Sequence, residues 1–374
     1  MKIFQVGKFP RERPGGIETA VFSLAKQLAL RHQVEVAVSA TGGVGKTFSW
    51  EGVACHQLPT WFSIFSTPVS PSLIGALRRA SGFDVLQISY QNPMAALAYW
   101  IARPAGRLVI WYHHDIVRQV WLGRLLEPLL SHLLKKADAI VSTSRAYAGS
   151  SIILRKFADK VRVIPLGIEL SPFEDDKEIR TSEIVRRRYG SPLILFIGRL
   201  VYYKGLDYLI EAMQGLKANL LVIGSGPLES RLRAGAQTRG VGPQVHFLEV
   251  PFDEPLARYL HACDLLVLPS VERTEAFGLV LLEAMACGKP VITTEIGTGT
   301  SFVCSDGVTG LIIPPQDAPA LRRALQKLLS NPVLARKMGE AGQNRVRQFF
   351  SAEVMAESFL ELYRSLLGFH AQRV

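Results

Sequence analysis

Residues 265–294 read LLVLPSVERTEAFGLVLLEAMACGKPVITT. Leu265–Leu268 is a short, wholly apolar run, and Val291–Thr293 is another, β-branched throughout. Between them, residues 278–287 have the composition of a helix. Near-continuous apolar strands joined by a helix build a parallel sheet covered on both faces. The stretch therefore reads as one strand–helix–strand unit of a doubly wound α/β fold.

The same alternation runs outward in both directions. Leu193–Ile197, Leu220–Ile223 and Val245–Phe247 read as strands, with helical patterns near residues 205–215, 228–238, 253–262 and 317–329. The first half holds a second series. Its strands are Ile3–Val6, Val34–Ser39, Val85–Ser89, Leu108–Tyr112, Ala139–Thr143 and Val161–Pro165. Its helices fall near 17–31, 71–80, 93–102, 120–136 and 145–157. A charged stretch near 170–190 reads as an irregular connection. Two helical patterns, about 333–347 and 352–368, follow the second series. Two series predict two Rossmann-like domains facing a central cleft. The expected domains are 1–169 plus a C-terminal helix at about 352–374, and 170–351. Ligands of such folds sit beyond the carboxyl ends of the strands.

Composition narrows the class. With 374 residues, 48% apolar and 20% charged, the chain is globular rather than disordered. The formal charge of +11 is uneven: residues 1–170 carry +10 and the remainder +1. Arg78-Arg79, Arg103/Arg107, Arg118/Arg124, Lys135-Lys136 and Arg155-Lys156 form basic patches that suit an anionic partner. Cys55, Cys263, Cys287 and Cys304 form no metal or redox pair, as expected of reduced thiols in a cytoplasmic protein. The opening residues are too short and polar a run for a signal peptide. Arg103, Pro104 and Arg107 break the most hydrophobic long stretch, so no spanning helix is expected.

Several loops carry chemistry. Residues 40–47, ATGGVGKT, nearly match a nucleotide-binding phosphate loop. That loop needs a helix to start at the Lys-Thr. Phe48 to Gly52 is a poor helix, so a glycine-rich surface loop is expected instead. Gly15 and Gly16, after Pro14, allow close ligand approach at a strand–helix turn. Arg199 and Lys204 place two cations just past a strand, suited to a diphosphate. Glu275 precedes a helix, and Glu283 lies on it among Leu281, Leu282, Ala284 and Met285. Carboxylates in apolar company need partners, and ribose or sugar hydroxyls are suitable donors. Gly278, at the helix start, would expose N–H groups to phosphate.

The pattern Glu-Ala-Phe-Gly-x-x-x-x-Glu-Ala-Met-Ala-Cys-Gly-Lys-Pro-Val, residues 275–291, resembles the signature of retaining GT-B glycosyltransferases of family 4. The Pro-Gly-Gly turn, the Gly-Arg-x-x-x-x-Lys-Gly loop at 198–205 and residues 306–314 match the same family in order. The resemblance implies that Glu275 holds hydroxyls of the transferred sugar and Glu283 the ribose. It implies that Arg199 and Lys204 bind the diphosphate, without a metal or cofactor. Phe277, Gly278 and Leu279 would offer backbone contacts to the donor, and Gly16 would approach from the first domain. The family's strand-end histidine matches His113, with His114 the less favoured neighbour. Glu275, His113, Arg199 and Lys204 are thus the candidate catalytic set.

Residues 111–117, 198–205 and 294–301 are similar to bacterial O-antigen and polysaccharide mannosyltransferases. A hexosyl donor, GDP-mannose first and a UDP-sugar second, and a lipid-linked glycan acceptor are expected. The basic first domain would meet an anionic membrane surface, at the inner face of the cytoplasmic membrane. A nucleic-acid partner is disfavoured, since no finger, helix-turn-helix or RNP pattern occurs. A GT-B epimerase lacks the two-glutamate motif. A non-catalytic GT-B partner subunit is the remaining alternative.

Overall fold

The computed structural model describes residues 1–13, 15–64, 67–90, 92–115, 120–251 and 254–369, with only the backbone over 120–125. Pro14, Arg118 and the Arg124 side chain, named above, lie outside the described residues, as do residues 370–374. The chain divides into two compact units, Met1–Gly167 with Ala352–Val374, and Ile168–Ser351.

The first unit contains β1 (Lys2–Val6), β2 (Gln33–Ser39), β3 (Lys46–Trp50), β4 (Val53–Leu58), β5 (Phe62–Ile64), β6 (Thr67–Val69), β7 (Val85–Ser89), β8 (Arg107–Tyr112), β9 (Ala139–Ser142) and β10 (Val161–Val163). Eight of them form one sheet in the order β10-β9-β8-β7-β1-β2-β4-β3. All pairs are parallel except β3 with β4. β5 and β6 form a separate antiparallel ribbon. The helix Ala352–Leu366 belongs to this unit. Its Phe359 ring meets Trp111 at 5.0 Å, and the Tyr363 hydroxyl donates to Gln87 Oε1.

The second unit contains β11 (Leu193–Ile197), β12 (Asn219–Ile223), β13 (Val245–Leu248), β14 (Leu265–Leu268), β15 (Val291–Thr294) and β16 (Gly310–Ile313). They form a parallel sheet, β13-β12-β11-β14-β15-β16. The order reverses between β11 and β14, which makes their carboxyl ends the switch point of a doubly wound sheet. Ile194, Phe196, Leu220, Val222, Val267 and Ile292 are fully buried on these strands. Each such side chain contributes about 1.5–3 kcal/mol on burial.

Two expectations change, and the rejection of a phosphate loop is met. Residues 170–190 are not irregular: Asp176–Tyr189 is a helix, capped by Asp175, whose Oδ1 accepts the Lys177 N–H at 2.8 Å. Its inward face is anchored by the buried Glu178, paired with the half-buried Arg258 Nε at 2.9 Å, rather than by an apolar stripe. The helical pattern near 145–157 is two short helices, Arg145–Ser150 and Ile152–Arg155, broken where Ser151 caps the second. Lys46–Trp50 is an antiparallel edge strand. No helix begins at Lys46-Thr47, so residues 40–47 lack the frame of a phosphate loop.

Candidate active site

The switch point of the second unit gathers most of the candidate residues. β11 ends at Ile197, and Gly198 to Gly205 forms the following loop. Gly205 has φ +68, and a Cβ there would lie 2.0 Å from the Pro269 carbonyl oxygen. Only glycine lets this loop lie against the end of β14. Lys204 folds back over Gly198, with its Nζ 3.5 Å from where a Cβ would stand.

Lys204 Nζ donates to Glu275 Oε2 at 2.5 Å, and Ser270 Oγ donates to the same oxygen at 3.1 Å. Both ion-pair side chains are mostly buried, at 14% and 10% exposure. Burial alone would lower the Lys204 ammonium, but the charge and hydrogen bond of Glu275 outweigh it and raise it. Lys204 is thus held protonated. Arg199, in the same loop, is exposed, and its charge is felt by both Lys204 and Tyr203. One desolvated cation and one exposed cation at a strand's carboxyl end have the chemistry to hold an anion.

Gly278 caps the helix Leu279–Ala286 in the left-handed region at φ 81. A Cβ there would stand 2.8 Å from Leu268 Cδ2. No side chain caps this end, and helix geometry leaves the Leu279 and Val280 N–H groups without intrahelical acceptors. Phe277 is buried, and Gly299 packs against it, its N–H donating to the Ala276 carbonyl at 2.8 Å. Glu283 lies one turn into the helix. Burial pushes its carboxyl up to about 7, with Lys204 pulling the other way. A carboxyl poised near neutrality is a marker of a functional site.

The first unit holds the other candidates. Gly15 precedes the helix Gly16–Ala29 at the carboxyl end of β1, and Glu18 Oε2 would lie 2.3 Å from a Cβ on Gly15. His113 follows β8 and is buried. Burial pushes its imidazole down to about 3, so the ring is neutral. Neither of its nitrogens finds a hydrogen-bond partner among the described residues. The pairing of Tyr112 with Ser142 puts Thr143 beside it, and the Thr143 hydroxyl is likewise unpartnered among them. A neutral imidazole and a hydroxyl side by side can exchange hydrogen bonds with a polyol. His114 instead turns its Nδ1 to the Asp115 carbonyl oxygen, 3.0 Å away.

Sequence reading passed over Ser270 and the loop 224–226. Gly224 and Gly226 press on the backbone of Gly198 and Leu200, where a Cβ would come within 2.2 and 2.5 Å of their carbonyl oxygens. The Gly-Ser-Gly-Pro run after β12 was the available signal. Glu174 pairs with Arg347 at 3.0 Å, and Asp176 begins the helix Asp176–Tyr189. Among the described residues no cluster of metal-ligating side chains occurs.

Residues 14–172 match the model of Glycosyltransferase Family 4, and residues 178–345 that of Glycosyl transferases group 1. The O-antigen chain mannosyltransferase C of Escherichia coli is 34% identical over 94% of this chain and 95% of its own length. The chain belongs to the family 4 glycosyltransferases. The D-rhamnosyltransferase WbpZ of Pseudomonas aeruginosa is 35% identical to this glycosyltransferase over 91% of the chain and 90% of its own length. Among solved structures, the sucrose-phosphate synthase of Thermosynechococcus elongatus superposes with a TM-score of 0.82, at 25% identity, over 99% of this chain and 100% of that one. Anabaena HepE, solved with UDP-glucose, gives a TM-score of 0.78 at 20% identity, over 98% and 100% of the two chains. The glycosyltransferase thus has the GT-B fold class. No helix among its described residues is long and apolar enough to cross a membrane.

Proposed function

We propose that this glycosyltransferase moves a hexosyl group, mannosyl first, from a nucleoside-diphosphate sugar to a lipid-linked glycan in cell-surface glycan assembly. The observation that carries the reading is the buried Lys204–Glu275 pair at the switch point, with Arg199 and Glu283 beside it. The sugar class rests on the relatives, a mannosyltransferase and a rhamnosyltransferase, both matched over nine-tenths of their length.

Each residue has a role in this reading. Arg199 and Lys204 bind the diphosphate and stabilise its charge as it departs, which assigns to side chains the work a metal could do. The N–H groups of Gly278 and Leu279 and the backbone of Phe277 meet the donor at the helix start. Glu275, paired with Lys204, accepts from hydroxyls of the transferred sugar. Glu283 accepts from the ribose. In the first unit, His113 is a neutral hydrogen-bonding group, and Gly15 and Gly16 open their turn to close approach. Glu275 and Glu283 flank one helix start, a placement that suits donor binding rather than the two opposed carboxylates of a glycosidase. Transfer then proceeds with retention: the bond from anomeric carbon to phosphate oxygen breaks, and the acceptor oxygen attacks on the same face. The departing phosphate takes the acceptor's proton.

Transfer assays with GDP-mannose, UDP-glucose and other UDP-hexoses test this reading. Transfer from GDP-mannose with retained anomeric configuration is expected. Transfer from a UDP-sugar alone would replace the donor assignment, and no transfer or donor hydrolysis with any sugar nucleotide would leave a non-catalytic partner subunit.

A further inference from the structure

The first unit carries a second feature that the transfer chemistry does not use. At the carboxyl ends of β2 and β4, large apolar side chains face water. Trp61 is 73% exposed, Phe62 53%, Ile64 48%, and Val44, in the glycine-rich loop, 86%. In β5 the strand period is lost: Phe62, Ser63 and Ile64 are all exposed. A half-buried strand alternates its faces; this one presents its apolar residues outward.

The feature is built, not frayed. Thr60 Oγ1 donates to the Ala40 carbonyl at 2.7 Å, and a hydroxyl chain links Thr60, Ser70 and Ser39 at 3.1 and 3.0 Å. The Trp61 N–H donates to the Val69 carbonyl at 2.9 Å, which closes the ribbon. A Cβ on Gly45 would lie 2.6 Å from Pro59 Cδ, so the Val44 loop lies against the base of the ribbon.

Cations border this apolar rim. Arg11, Arg13 and Lys46 are exposed. Arg13 stacks over Phe9 at 3.7 Å, whereas Arg11 lies over Trp50 at 4.9 Å, toward the far end of β3. The acid among them, Glu12, is engaged by Gln57 at 3.1 Å and Lys46 at 3.7 Å. This bond brings the Arg11–Arg13 loop to the end of β4. The whole unit carries a net charge of +10. Apolar anchors and basic groups together are what stable interfacial binding requires.

We infer that this rim docks on an anionic lipid bilayer, with Trp61, Phe62 and Ile64 entering the interface and Arg13 and Lys46 meeting headgroup phosphates. The inference rests on the lipid-linked acceptor of the proposed function and names the surface that reaches it. It moves the membrane contact from the basic patches between residues 78 and 156 to the loops after β1, β2 and β4.

Sedimentation of the full chain with phosphatidylcholine vesicles, with and without phosphatidylglycerol, tests it. The protein should pellet with the anionic vesicles. The triple variant Trp61→Ser/Phe62→Ser/Ile64→Ser should partition at least about tenfold more weakly. Arg13→Ala/Lys46→Ala should lose the preference for phosphatidylglycerol. Brominated lipid should quench fluorescence in the wild type that Trp61→Phe lacks. The triple variant should transfer normally to a short water-soluble acceptor, which keeps this inference separate from the donor chemistry. Unchanged vesicle binding in the triple variant would overturn the docking surface. So would unchanged vesicle binding accompanied by loss of transfer to the soluble acceptor, which would make the rim an acceptor subsite.

Discussion

At the residue scale the account turns on Lys204 and Glu275. A buried ion pair is costly to break from one side, about 3–5 kcal/mol, because the other charge is left unpaired. Glu275→Ala should therefore lower both stability and transfer. Glu275→Gln keeps a hydrogen-bond acceptor for Lys204 and Ser270, and should lose transfer with a smaller loss in melting temperature. Arg199 is exposed, so Arg199→Ala should leave the melting temperature unchanged while kcat/KM falls by roughly a hundredfold, the loss typical of one preorganised electrostatic group. Glu283 offers a pH test. Its carboxyl titrates near 4.5 when unfolded and about 7 when folded. Between those values the native chain holds a proton that the unfolded chain has released, so stability falls as pH rises through the window and levels off above it. Glu283→Gln should remove that decline, which is worth roughly 1–3 kcal/mol, in urea melts compared across the window. Ribose hydroxyls favour the ionised carboxylate, so donor affinity in the wild type should weaken as pH drops below about 7.

At the element scale Gly205 and Gly278 fix the site's backbone. Gly278 starts its helix in the left-handed region and has no room for a Cβ against Leu268. Gly278→Ala should cost at least about 1–2 kcal/mol from backbone strain alone, read as a shift in the urea midpoint. The strand–helix alternation and the 275–291 motif were legible because periodicity and composition agreed there. The helix Asp176–Tyr189 was not, because its buried anchor is the Glu178–Arg258 pair and charged residues dominate its sequence. The ribbon of β5 and β6 was missed for the opposite reason: its apolar residues face solvent, so no alternation marks it. Ser270 and the Gly224–Gly226 turn escaped because their roles arise only when separate loops meet at the switch point.

At the scale of the whole molecule, each unit is a doubly wound sheet whose candidate residues lie at strand carboxyl ends. The charge is divided with the structure: the first unit carries +10 and the second +1. In the proposed function the diphosphate needs only Arg199 and Lys204, which leaves the surplus in the first unit for the proposed bilayer contact. Binding of a nucleotide to the folded chain alone should raise its apparent stability by about 2.7 kcal/mol at a hundredfold excess over Kd. A panel of GDP, UDP, ADP and their sugars should show the largest shift for the guanosine ligands. The measurement that tests the central claim most directly is titration of GDP-mannose into the wild type, Arg199→Ala and Glu275→Gln, followed by transfer under saturation. The account predicts that Arg199→Ala loses donor affinity, that Glu275→Gln binds GDP as the wild type does, and that both lose transfer. Full transfer by both variants would contradict it.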